Sequence, residues 1–307
     1  MHRQIEVVGI GSAVYDTLMV VPRFPAEDTK MRGTETKIQG GGPCATALAA
    51  AQKLGISTAY LGNLGEDPFG RFLRADLEHW GVCTDGVRMC PDCTSFHAVV
   101  LLSAENGSRT CIWNGGTVPD PAPDEVLGDI LAGAKVLHLD GHMPDAALAA
   151  ATFCKAHGIK VSYDAGGIYP GTESLLSCTD WLIPSEEFAL KITGCSAAED
   201  AAQALYRKHR PELVIVTQGK RGGILLDASG IRRYASYPVA AVDTNGCGDT
   251  FHGAFIAGKL RGLSNDDACR YAGAAAAIKA TRLGARSAMP DDGECRAFLR
   301  THGVQLP

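Results

Sequence analysis

The segment DTNGCGDTFHGAF, residues 243–255, sets Asp243 and Asp249 around Gly246, Cys247 and Gly248 and then runs into an apolar stretch. Glycine lets backbone amides approach a ligand closely. If a helix starts near Asp249, those amides share the space of a helix N-terminus, which attracts anions. An acid at that place can cap the helix. It also stands within reach of an oxygen attacking the bound anion and can take that oxygen's proton. A base beside an anion hole is what phosphoryl transfer to an alcohol requires.

A second stretch, QGGGPCATALAAAQKLG at 39–55, places three glycines before Pro43 and then strong helix formers up to a stop at Gly55. Proline fits a first helical turn and glycine a helix end. Two readings stand here: tight packing of a helix on a sheet, or an open helix N-terminus whose amides hold polar groups of a substrate.

The elements that must position these segments alternate. Short β-rich runs occur at 5–11, 57–62, 135–140, 160–164, 181–184 and 213–219, with helical patterns at 43–54, 68–80, 145–157, 186–193 and 197–209. This predicts an α/β core, a mostly parallel central sheet flanked by helices on both faces, with the active crevice beyond the carboxyl ends of its strands. His142, just past the strand ending at Asp140, falls in such a place, either as a substrate contact or as a hydrogen-bonded structural residue.

Residues 14–38 and 94–113 break the alternation and read as strands joined by turns, with ENGS at 105–108 as a hairpin signal. They predict a small β-sheet lid on a core formed by 1–13, 39–93 and 114–307. An exposed apolar sheet face must close over a ligand or pair with another copy, so a homodimer through the lid is expected. The remainder, 249–302, reads as helices, with Asn265 and Asp291 at N-cap positions and Gly262, Gly284 and Gly303 as stops.

Composition narrows the partners. The 307 residues carry 46% apolar and 21% charged residues and a net charge of −5, which speaks against disorder and against a nucleic-acid footprint. No apolar run reaches membrane-spanning length and no signal peptide is evident, so a cytoplasmic enzyme with a small-molecule partner is expected. Eleven cysteines scattered through apolar contexts suit reduced thiols, and the one C-x-x-C, CPDC at 90–93, lacks the second pair of a zinc site. GAFIAGKL at 253–260 imitates a P-loop without its Ser or Thr and lies inside a helical pattern. VVGIGSAV at 7–14 lacks the third glycine of a dinucleotide fingerprint.

Taken together, DTNGCGD and GGGPCATALAAAQKLG followed by LGNLGEDPFG resemble the two signatures of the ribokinase-like (PfkB) carbohydrate kinases. VTQGKRGG at 216–223 and AAAAIKATRLGARSAMP at 274–290 continue the likeness through almost the whole chain. The resemblance implies an ATP-dependent sugar kinase with a three-layer core and a small lid. On matched positions it implies Asp249 as catalytic base and Gly246, Cys247 and Gly248 as anion hole. It further implies Asp16, Gly41 and Gly42 at sugar hydroxyls, and Thr217, Gly219, Gly222, Ala277 and Gly284 around the nucleotide. Magnesium would accompany ATP, and a monovalent cation requirement is left open.

The chain departs from the family at SEEF, 185–188, where Ser185 and Phe188 stand in place of the Asn and Glu of a metal-linked motif and Glu186 is the substitute, acting through water. Ala45 replaces an Asn that many ribokinases use. Among the family's members the chain is similar to bacterial sulfofructose kinases, which places Lys30 and Asn114 toward the substrate, but His142 stands where their sulfonate-gripping Arg is expected. A ketose, fructose-like or with an anionic distal group, is therefore the expected substrate. The alternatives are ribose or a nucleoside, a catalytically silent sensor prompted by SEEF, and a dinucleotide enzyme resting on 7–14.

Overall fold

The computed structural model describes residues 4–105 and 108–307; the hairpin signal at 105–108 therefore lies partly outside the described residues. Eight strands form the main sheet. Their spatial order is Gly230–Tyr234, Gly223–Asp227, Leu213–Thr217, Trp181–Pro184, Lys160–Ala165, Val136–Leu139, Val7–Ile10 and Thr58–Tyr60. The six from Leu213–Thr217 to Thr58–Tyr60 are parallel, and the hairpin at 223–234 is antiparallel. The inner strands are buried along their whole length, as VVGI, VLHL and WLIP show, because helices cover both faces. Pro43–Lys53, Cys247–Leu260 and Asn265–Ala280 pack on one side, and Pro144–Ala156, Glu186–Thr193 and Ala198–His209 on the other. Among the described residues no helix is long and apolar enough to cross a membrane.

From Val7–Ile10 the chain moves outward first to Thr58–Tyr60 and later, on the other side, to Val136–Leu139. The strand order reverses there, and crevices of open α/β sheets form at such a switch point. Its carboxyl ends are Gly11-Ser12 and Asp140-Gly141-His142. Two helices then deliver their N-termini side by side. Gly253 makes this contact close: a Cβ at that position would overlap the Ala47 carbonyl and crowd Ala50, so only glycine lets Cys247–Leu260 lie this near Pro43–Lys53.

A separate four-stranded sheet has the order Glu35–Gly41, Val14–Val21, His97–Ser103, Arg109–Asn114. Its first strand runs to Gly41, three residues past the boundary expected at 38, and feeds directly into the helix at Pro43. Its last strand, Arg109–Asn114, ends one residue past the boundary expected at 113. Two further local expectations are corrected. The helix expected near Asp249 begins at Cys247 and is capped by Gly246 at φ 81, so Asp249 sits inside the first turn and is not a cap. Ser264, whose hydroxyl accepts from the Asp267 amide, caps the next helix in place of Asn265. The hairpin at 223–234 was hidden because its second strand, GIRRY, is polar and exposed.

Candidate active site

Asp140, nearly fully buried at 3% exposure, fixes the crevice. Its Oδ2 accepts from the Ser12 amide at 2.8 Å, the Ser12 hydroxyl at 2.6 Å and the Cys44 amide at 3.1 Å, while Oδ1 accepts from the His142 amide at 3.1 Å. One carboxylate thus joins two strand ends to the start of the helix at Pro43. The amide of Ala45 donates to the Ser12 carbonyl at 3.2 Å. The second helix N-terminus is therefore not the open set of amides that the glycine run suggested, since Cys44 and Ala45 spend theirs inside the protein.

Asp16 reaches the same region from the middle of its strand and packs against Gly41, where a Cβ would overlap its carboxylate. Burial pushes its pKa up to about 6, with the Arg286 guanidinium opposing. Arg286 is itself buried. It pairs with Asp76, donates to the Gly41 carbonyl at 2.6 Å and to Thr46 Oγ1 at 3.3 Å, and so clamps the root of the second sheet to the turn after residue 280. The Ala285 amide, donating to Gln39 Oε1 at 3.0 Å, adds a second tie. Gly42, at φ 90, turns the strand into the helix.

Across the crevice lies the glycine turn. Nothing lies within 4 Å of where a Cβ would stand on Gly248, and Gly246 offers no side-chain cap to the helix. The Cys247 amide makes a long 3.3 Å bond to the Thr244 carbonyl, so the anion hole expected at 246–248 has one amide partly engaged. Asp249 faces a negative neighbourhood. Burial, and then the Asp164 and Asp140 carboxylates, push its pKa up to about 7 against the pull of His252 and Arg286. His252 stands one helical turn further on, with Nε2 3.2 Å from Asp164 Oδ1. Arg109, from the edge strand of the second sheet, reaches over to donate to Thr244 Oγ1 at 2.7 Å.

Beside Ser12 opens a cavity of about 470 Å³ whose walls include Phe96, Trp113, His142 and Tyr169, with Asn63 and Asp120 as polar lining. His142 and Tyr169 rings lie 4.6 Å apart, and Phe96 and Trp113 5.5 Å apart. Of the three residues expected at the far end of the substrate, only His142 lines this space. Lys30 sits in an exposed loop. Asn114, between two lining residues, turns its Oδ1 to the Gly116 amide at 2.8 Å. Lys30 falls in the connection between strands Val14–Val21 and Glu35–Gly41, and Asn114 is the last residue of the sheet's edge strand.

At the end of strand Leu213–Thr217, Thr217 bridges to Ser185 and its hydroxyl donates to the Pro184 carbonyl at 3.3 Å. Gly219 and Gly222 follow at φ 55 and 84, where Gly222 closes the turn into the next strand. Gly284, at φ 98, donates its amide to Asp243 Oδ2 at 2.9 Å, and Ala277 is buried in its helix. At the position expected to serve the metal, one Glu186 oxygen accepts from Gln218 Nε2 at 2.6 Å and the other pairs with Arg221. Ser185, meanwhile, caps the helix by accepting from the Phe188 amide. SEEF is thus a helix start whose first acid is already neutralised. Sequence reasoning missed Asp140, Arg286 and Arg109; a carboxylate at the end of KVLHLD was the one available signal.

Comparison with known proteins identifies the family. Residues 4–292 match the family described as pfkB family carbohydrate kinase. A 5-dehydro-2-deoxygluconokinase from Shouchella clausii is 29% identical over 98% of both chains. An ATP-dependent ribose-1-phosphate kinase from Halopiger xanaduensis is 30% identical over 96% of this chain and 98% of its own. The structure of Arabidopsis thaliana ribokinase complexed with ribose and ATP superposes with a TM-score of 0.84, at 29% identity over 97% of this chain and 99% of that one. The chain belongs to the pfkB family of carbohydrate kinases and is an ATP-dependent sugar kinase.

Proposed function

We propose that the enzyme transfers the γ-phosphate of ATP to a hydroxyl of a small neutral sugar, with Asp249 as the general base. The observation that carries this is Asp249 itself, an acid with a pKa near 7 in the first turn of a helix that opens on a glycine turn. At neutral pH such a group is poised between holding and accepting a proton. The Gly246–Gly248 turn and the helix N-terminus receive the phosphate, and Arg109 adds a positive charge from the second sheet where charge moves. Magnesium bound to ATP neutralises phosphate charge. The open space at Gly248 fits a phosphate approaching the backbone, whereas Glu186 would have to leave Arg221 to serve the metal.

The cavity beside Ser12 narrows the acceptor. Among the described residues that line it, Asp120 is the one carboxylate and none is a lysine or arginine. A sulfonate or phosphate at the distal end would meet a carboxylate and no cation, so an anionic ketose such as sulfofructose loses its support and a neutral ketose is favoured. Names among the relatives point to ribose, ribose 1-phosphate and a deoxygluconate, so kinship alone selects no sugar. A second reading, a nucleoside, draws on the aromatic walls, whose rings suit stacking on a flat base. A coupled ATP-consumption screen over ketohexoses, sulfofructose, ribose, 2-deoxy sugar acids and nucleosides decides. Fructose-like ketoses are expected to show the highest kcat/KM. A nucleoside or ribose leading by about tenfold, roughly 1.4 kcal/mol of differential transition-state binding, would replace this substrate reading while leaving the kinase intact.

We also infer that the second sheet serves as lid and dimer contact. Register places Ile38, Thr17, Val99 and Ile112 in one row across all four strands. Ile38, Val99 and Ile112 are 51%, 41% and 62% exposed, an apolar face of the kind that a second copy covers. Sedimentation equilibrium should find a dimer, and Ile112→Lys should shift it to monomer; a wild type that stays monomeric at micromolar concentration would remove this contact. The eleven unpaired cysteines suit the reducing cytoplasm.

A further inference from the structure

The last turn of the helix Asn265–Ala280 carries a buried lysine. Lys279 is 0% exposed, among alanines and isoleucine. A buried ammonium is tolerated only when oxygens surround it. Here its Nζ donates to the Asp243 carbonyl at 2.6 Å and lies 3.7 Å from Asp243 Oδ2. That carboxylate also accepts from the Asn245 amide at 2.8 Å and the Gly284 amide at 2.9 Å. The Ala280 carbonyl in turn accepts from the Val242 and Asp243 amides, at 2.7 and 3.1 Å. The ammonium therefore sits where two backbone turns meet. One, 242–246, leads into the glycine turn and Asp249; the other, 280–284, leads to Arg286 and its bond to Gly41.

The two oxygens that face the ammonium, a carbonyl and a carboxylate, both belong to Asp243, and oxygens of these kinds are what a weakly hydrated monovalent cation takes. An ammonium is a compact point charge with three donors and can serve the same oxygens. Burial draws the Lys279 pKa down, while Cys247, Asp243 and Asp249 oppose and Arg109 adds to the lowering; these are the charged and titratable groups that face it.

We propose that Lys279 is a built-in monovalent cation: its ammonium holds the Asp243 turn so that the glycine turn presents its amides to the transferring phosphate, and the enzyme needs no potassium. Lys279 is a positioning residue, acting through Asp243 without touching substrate. The proposal rests on reading 246–248 as the phosphate turn. It also departs from any monovalent cation requirement at this junction, because the oxygens that would bind the ion are already engaged.

The test begins with the wild type, turned over with its best sugar in tetramethylammonium buffer, with potassium, sodium or ammonium then added at constant ionic strength. The rate should not change. Lys279→Ala and the longer apolar Lys279→Met should each lose on the order of 10- to 100-fold in kcat. Lys279→Ala, which vacates the site, should recover activity with potassium or ammonium but not with tetramethylammonium, and Lys279→Met, which fills it, should not recover. A purely structural lysine would give no selective rescue. Potassium dependence of the wild type overturns the proposal, and that arm stands even if neither variant folds. A folded Lys279→Ala indifferent to every cation overturns it as well. If instead Asp249→Asn keeps its activity, the phosphate-turn reading fails separately, whatever the cation series shows.

Discussion

Replacing Asp249 by asparagine is expected to lower kcat by roughly 10²- to 10⁴-fold, the range for losing a general base, with fold and nucleotide affinity near wild type. Gly246 caps the helix, so the substitution removes no cap. Stability should move in the opposite direction from activity. The folded pKa of about 7 lies above the ordinary 3.8, so between those values the folded state holds a proton that the unfolded chain releases. Stability from this group is complete at low pH and is lost as pH rises toward 7. At pH 8 the asparagine variant should melt at or above the wild type. Steady-state kinetics and thermal unfolding at that pH check both halves; a variant with most of its turnover intact would place the base elsewhere.

Arg286→Met should have the largest effect on stability. Its guanidinium is 1% exposed and serves Asp76, Gly41 and Thr46 together. Removing it strands the Asp76 carboxylate, and breaking a buried pair from one side costs about 3–5 kcal/mol. Arg282→Ala is the contrast, because its pair with Glu294 is 44% and 37% exposed, and exposed pairs contribute about 0–1 kcal/mol. Urea unfolding should separate the two variants by several-fold in free energy. Equal losses would mean that the Arg286 clamp between the second sheet and the 280–286 turn contributes no more to stability than an exposed pair.

The contrast between these two arginines also shows what was legible. Local patterns carried most of the core: the apolar runs at 7–10, 136–139 and 181–184 became buried strands, and Pro43, Pro68 and Pro144 each began a helix. Asp249 and the glycine turn were readable because their chemistry is local. Asp140, Arg286 and Lys279 were not, since each takes its meaning from partners far along the chain: Ser12 for Asp140, Gly41 for Arg286, Asp243 for Lys279. Nothing adjacent in sequence distinguishes Arg286, which is buried, from Arg282, which is not. Lys30 and Glu186 were chosen by residue type alone. Their residue types suited a ligand, but an exposed loop and a neighbouring Arg221 decided their surroundings.

In the proposed mechanism Asp249 must be ionised to accept the proton of the sugar hydroxyl. The pH dependence of kcat/KM reports the free enzyme's essential base and tests this role most directly. The wild-type profile should rise with pH through one ionisation near 7 and level above it. His252→Asn, which removes the group drawing that pKa down, should move the rise to higher pH. A profile already flat from pH 5 upward, or one unmoved by His252→Asn, would contradict Asp249 as the base.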